Sequence, residues 1–221
     1  PALLGGLLMA SMIPLGMPRS KLSYVRLLHS LIGLWREEPA LRRATLTQAL
    51  LFASFSAFWT VLAFYLADPA YGLGAEVAGL FGVIGVAGVV AAPLAGRMAD
   101  RLGARPVVLV GTLLAVLAWI LFETWLSLVG LALGVILLDL GVQSALVAHQ
   151  QLIYGLRAEA RGRINTLFMT GMFLGGTLGS SLAMLAWQQG GWVGVGWVGL
   201  ALALSACLGA LAGKRSLQPA S

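Results

Sequence analysis

The sequence predicts an all-α integral membrane protein with six transmembrane helices, and three observations predict it. The first is composition: 59% of the 221 residues are hydrophobic and 10% are charged, with a mean hydropathy of +0.92. Soluble domains run near half apolar and about a quarter charged, because a folded surface must be solvated. The second is a series of long stretches without Asp, Glu, Lys or Arg. The third is the placement of the bases, which turns a net charge of +6 into topology and excludes nucleic acid as a partner. The same figures exclude a disordered chain, and the single Cys207 excludes a disulfide scaffold.

The uncharged stretches are 1–18, 44–67, 77–96, 106–122, 124–138, 140–156 and 164–213. A hydrocarbon core of about 30 Å takes about 20 helical residues to cross. Residues 1–14 read as the end of a preceding span whose beginning is missing, the pattern expected of a piece cut from a longer chain. They lack the basic leader of a signal peptide. Residues 15–45 read as a basic cytoplasmic linker, in which Val25, Leu28, Ile32 and Trp35 are spaced along one face of an interfacial helix. The six-helix unit at 46–213 then crosses at 46–67, 77–96, 106–123, 127–150, 165–187 and 191–212. The fourth of these spans joins two stretches across Asp139, where no turn has room. The last stretch holds two crossings, because Gln188-Gln189-Gly190-Gly191 supplies a polar, flexible break. Residues 214–221 form a cytoplasmic tail. A β-barrel is excluded, since its strands alternate over about 10 residues rather than running apolar for 20.

The fourteen Lys and Arg sort to one side of these crossings. Six lie in 15–45, three are Arg97, Arg101 and Arg105, three are Arg157, Arg161 and Arg163, and two are Lys214 and Arg215. The alternate connections carry only acids nearby, at Asp68, Glu76 and Glu123. Basic loops resist translocation, so both ends of the unit are placed in the cytoplasm. Trp125, Trp187, Trp192, Tyr65 and Tyr71 fall near the outer ends, where amphipathic rings favour the headgroup level.

The most specific motif is Gly96-Arg97-Met98-Ala99-Asp100-Arg101-Leu102-Gly103-Ala104-Arg105. It resembles the G-x-x-x-D-R-x-G-R-R signature of the major facilitator superfamily, matching at Gly96, Asp100, Arg101, Gly103 and Arg105. Ala104 stands where the family usually has a base. The motif falls between the second and third spans, as in each six-helix half of that family. Glu159-Ala160-Arg161-Gly162 is also similar to a common cytoplasmic-loop sequence of the family. The resemblance implies one half of a major-facilitator fold, helices 7–12 with a stub of helix 6. It further implies secondary transport by alternating access, in partnership with a missing N-terminal six-helix half. In the signature loop the Asp is then expected to meet a helix N-terminus of the other half, latching the cytoplasmic side. Gly103 is expected to supply a turn that side chains do not permit.

Candidate binding groups follow from polar residues inside the spans. Asp139 sits mid-span, where a charge costs about 2.5–3.5 kcal/mol on lenient insertion scales and should face protein or water. Gln143 and Gln150 share its helical face. This stripe is a candidate proton or substrate site; the alternative is a structural hydrogen bond to a neighbouring helix. Gln48, Phe52, Phe55 and Trp59 form a face of the first span, and the resemblance implies that this helix lines the translocation path. Thr166, Thr170, Phe173, Thr177 and Ser181 form a face of the fifth span, implied to approach the cavity rim. The competing account of both faces is packing and bonding to their own helix carbonyls. His149 is expected in the hydrated interface. Gly171, Gly175 and Gly179 suit close helix packing.

No catalytic constellation or metal-ligand cluster occurs, and no cofactor is expected. Without a G-x-x-x-x-G-K-[ST] loop, energy would come from an ion gradient. The expectation is proton-coupled efflux of an unidentified small molecule across the cytoplasmic (inner) membrane, with lipid as the surrounding partner. The alternative is a six-helix membrane module that binds or scaffolds without transporting.

Overall fold

The computed structural model describes residues 24–69 and 71–212. The expected stub at 1–14 and tail at 214–221 lie outside the described residues. The helices are α1 (Tyr24–Glu37), α2 (Pro39–Leu66), α3 (Ala75–Leu102), α4 (Ala104–Thr124), α5 (Leu128–Tyr154) and α6 (Arg161–Ala212), with a 3-10 turn at Ala158–Ala160 before α6.

Local chemistry sets the ends. Pro39 opens α2 in its first turn, where its missing N–H forfeits no intrahelical bond. Arg42, one turn on, donates to the carbonyls of Trp35 and Arg36 at 2.8 and 2.7 Å, satisfying the end of α1. α2 therefore starts several residues before the expected boundary at 46. Ser127 caps α5 by accepting from the Gly130 N–H at 3.1 Å. The expected signature loop is barely a loop. α3 runs to Leu102, α4 starts at Ala104, and Gly103 alone turns the chain at φ 86°. That backbone region is costly for any residue with a Cβ.

Among the described residues four helical stretches are long and apolar enough to cross a bilayer: α2, α4, α5 and the continuous 158–212 stretch. At 1.5 Å per residue α4 alone, with 21 residues, spans about 31 Å, the thickness of a hydrocarbon core. α6 holds 52 residues but breaks at Gly191, with φ 56° and ψ −143°. The break reverses the chain at the end of the expected Gln-Gln-Gly-Gly turn. Along α2, Thr45, Ala49 and Ala53 meet Gly171, Gly175 and Gly179 in ascending order. Thr47, Ser54 and Phe58 meet Gly209, Gly199 and Trp192 in descending order. The first arm of α6 thus runs parallel to α2 and the second antiparallel to it.

Small residues allow these approaches. A Cβ on Gly175 or Gly179 would run into the backbone of Ala49 or Ala53, and one on Gly199 would enter the Trp119 ring. Gly111 and Gly141 cross in the same way between α4 and α5. Lipid supplies no hydrophobic drive for helix pairing, so such close backbone contact is what holds a membrane bundle. Phe58 lies at the centre, stacked on Phe122 at 4.4 Å and edge-on to Trp119 and Trp192. The Trp119 indole donates to Ser54 Oγ at 2.6 Å, and Ser54 donates to the Gly199 carbonyl at 3.1 Å. The exterior carries exposed Leu80, Val83, Leu117, Leu133, Leu178 and Leu208, a surface suited to lipid and not to water. This is a multi-pass membrane protein.

The aromatic belt is narrower than its sequence pattern suggests. Trp125 is exposed, but Tyr65 and Trp192 are buried and stack on each other at 3.8 Å. The Trp192 N–H donates to the Phe122 carbonyl at 3.3 Å. These rings pack into the core at the end of the bundle opposite the basic segments.

Candidate functional site

Three features of the bundle carry polar or aromatic groups where a ligand could use them. The first is an aromatic ladder. Phe52 stacks on Phe55 at 5.5 Å, Phe55 continues to Trp59 at 6.0 Å, and Phe173 of α6 meets Phe52 edge-on at 5.8 Å. The two expected faces, on α2 and on the first arm of α6, are therefore brought together. Phe173 is 55% exposed, and Thr166, Thr170, Thr177 and Ser181 are exposed around it. Thr166, Thr177 and Ser181 donate to the carbonyls of Gly162, Phe173 and Thr177 at 3.0, 3.1 and 2.9 Å. Their hydroxyl hydrogens are spent within the helix, which leaves oxygen lone pairs toward the open side.

The second feature is Asp139 on α5, which is 6% exposed. Its Oδ2 is buried without a hydrogen-bond partner, and so is the Trp59 indole nitrogen. Both groups flank Gly85 of α3: a methyl there would lie 3.2 Å from Asp139 Oδ2 and 3.4 Å from Trp59 Cζ2. The carboxyl thus lies recessed beside one end of the aromatic ladder. Gln143 and Gln150 share α5 with Asp139 and are half-buried. Glu123 has a similar burden that the sequence does not reveal. Its Oε1 is buried and unpartnered near Gly196.

Gln48 departs from the stripe expected of it. It is fully buried, and its Oε1 lies 2.9 Å from His149 Nδ1. His149, at 4% exposure, is correspondingly not the hydrated interfacial group its position suggests. One hydrogen bond thus joins two polar side chains on neighbouring apolar helices, and the Gln48 Nε2 stays buried without a partner.

The third feature is the basic end. Asp100 accepts a hydrogen bond from Gln151, tying the end of α3 to α5. Gly96 lies against Val147, and Arg101 and Arg105 are exposed. Arg157 bridges Glu38 at 2.7 Å and Glu37 at 3.1 Å, tying the α1–α2 junction to the segment before α6. The Glu38 hydrogen bond is the main cause that holds the Arg157 guanidinium above its ordinary range. Among the described residues no three His, Cys, Asp or Glu side chains come together to hold a metal.

Asp100→Asn keeps an oxygen for Gln151 and removes the charge. It is expected to leave the protein in the membrane and, if Asp100 meets a helix N-terminus of the other half as the signature resemblance implies, to slow transport about 5-fold, since such a carboxylate contributes about 1 kcal/mol. Flux normalised to membrane-inserted protein checks this.

Comparison with known proteins places this geometry. "Uncharacterized transporter YgaY" of Escherichia coli O157:H7 is 38% identical over 204 residues, which cover 89% of this chain and 51% of that protein. "Probable transporter SCO4007" of Streptomyces coelicolor is 39% identical over 167 residues, covering 74% of this chain and 38% of its own length. The chain thus spans about half the length, or less, of these curated relatives. Residues 44–219 match the family described as Major Facilitator Superfamily. The chain belongs to the major facilitator superfamily.

Proposed function

We propose that the complete protein carries a small molecule across the cytoplasmic membrane by alternating access, as proton-coupled efflux. This chain would supply one six-crossing half, with both ends of the unit in the cytoplasm. The observation that carries the reading is the open face formed by Phe52, Phe55, Trp59 and Phe173 with its hydroxyl row, beside the recessed Asp139. Aromatic rings with a few polar groups suit an amphipathic or aromatic solute. A carboxyl with an oxygen left unpartnered inside a bundle suits proton exchange, because a groove that fills with water can deliver and remove the proton. The names of its relatives and its family membership support transport. Hydroxyls and aromatic rings on a sparsely charged face favour efflux of a sparsely charged molecule over capture of an anion.

The test is flux of a panel of labelled amphipathic compounds in cells expressing the complete gene, with and without an uncoupler. Lower accumulation that rises when the proton gradient collapses is expected. Binding without flux for every compound would favour the non-transporting module instead.

A further inference from the structure

A cavity of about 320 Å³ opens at the basic end of the bundle, away from the open aromatic face. The start of α2 contributes Arg43 and Thr47, the start of α4 contributes Arg105, and the end of α5 contributes His149. Between them the walls are apolar, through Ala44, Val108 and Leu152 among others. Two guanidinium groups therefore border a space with a greasy lining. Glu38 also faces it, but its carboxylate is engaged by Arg157 at 2.7 Å, so its charge is compensated within the protein.

His149 gives the interior a defined polarity. An amide oxygen can only accept, so Gln48 Oε1 takes the proton of Nδ1. The neutral ring then presents Nε2 as an acceptor. The ring is almost wholly buried yet lines the cavity. An acceptor at that depth calls for a hydroxyl donor. A fitting ligand therefore carries an anionic phosphate for Arg43 and Arg105, a hydroxyl for His149, and an apolar portion for the walls. Basic pockets between transmembrane helices at the headgroup level favour anionic lipids. A guanidinium is also the side chain best matched to a phosphate.

We propose that this cavity binds the headgroup of an anionic glycerophospholipid, with the phosphate between Arg43 and Arg105 and a glycerol hydroxyl on His149. The site needs only that the basic end lies in a headgroup layer, so it stands apart from the transport reading.

The test uses the complete protein carrying this chain, purified in neutral detergent and stripped of lipid. Calorimetry measures binding of dioctanoyl phosphatidylglycerol, dioctanoyl phosphatidylcholine and free glycerol 3-phosphate. Saturable binding of phosphatidylglycerol is expected, with phosphatidylcholine and glycerol 3-phosphate each at least about 10-fold weaker. The double variant R43Q/R105Q should weaken phosphatidylglycerol about 10- to 100-fold, the range for losing charge-assisted hydrogen bonds. Ala40→Phe, which narrows the cavity and keeps both arginines, should weaken it comparably. Equal binding of the two lipids, or unchanged affinity in Ala40→Phe, overturns the proposal. Glycerol 3-phosphate binding as tightly as the lipid also overturns it, in favour of a soluble phosphate ester. Gel-filtration profiles establish that each variant is folded. If the double variant is not, the lipid comparison and Ala40→Phe decide.

Discussion

Replacing Gly179 with Leu is expected to remove nearly all folded protein from the membrane. The added carbons would have to occupy the place of the Ala53 backbone on α2. A backbone cannot rotate away as a side chain can, so α2 and the first arm of α6 would have to separate. Overpacking typically costs about 1–3 kcal/mol, and a collision with backbone belongs at the upper end or beyond. Domain stabilities are of the order of 5–15 kcal/mol, and α2 and α6 share the most extensive helix–helix face in the bundle. Gly175 sits one turn away against Ala49, so there is no slack along the helix to absorb the shift. The measurement is the monodisperse peak in gel filtration after solubilisation. Gly162→Leu is the control: a Cβ there meets nothing within 4 Å, and its peak should match the unsubstituted protein.

Asp139→Asn is expected to uncouple transport from the proton gradient while preserving the fold. The substitution keeps the size of the side chain and removes the group that can take and release a proton. Oδ2 has no hydrogen-bond partner to lose, and a neutral amide is cheaper to bury than a carboxylate. Thermal stability should therefore be unchanged or higher. Gradient-driven efflux should fall at least about 10-fold, equivalent to about 1.4 kcal/mol. Exchange of substrate across the membrane without a gradient should persist. Undiminished gradient-driven efflux in the Asn variant would remove Asp139 from the proton path.

The helices were legible because lipid makes strong demands: about 20 uncharged residues per crossing, bases on one side, and a flexible break in any longer run. Gly103 and the Gln-Gln-Gly-Gly segment were legible for a local reason, since turn chemistry is written in adjacent residues. The aromatic ladder was half legible. Spacing gave the α2 row and the α6 row separately, and only parallel packing through Gly171, Gly175 and Gly179 brings Phe173 against Phe52. The Gln48–His149 pair was not legible, because its partners are 101 positions apart and nothing local links them. Tyr65 and Trp192 misled for a related reason. Their place near a helix end suggests a membrane interface, but the antiparallel arm folds Trp192 onto Phe58 and Phe122 and against Tyr65.

The central claim is that the open face of α2 and α6 lines a water-filled path while its neighbouring face meets lipid. Cysteine accessibility in the complete protein, in a Cys207→Ala background, tests it most directly and needs no known substrate. Thr170→Cys and Phe173→Cys should react with a charged, water-soluble thiol reagent. Leu178→Cys and Leu182→Cys, also exposed on the same arm and about 140° and 180° around the helix from Phe173, should remain unmodified. Equal labelling of all four positions, or labelling of the leucine positions alone, would contradict the account.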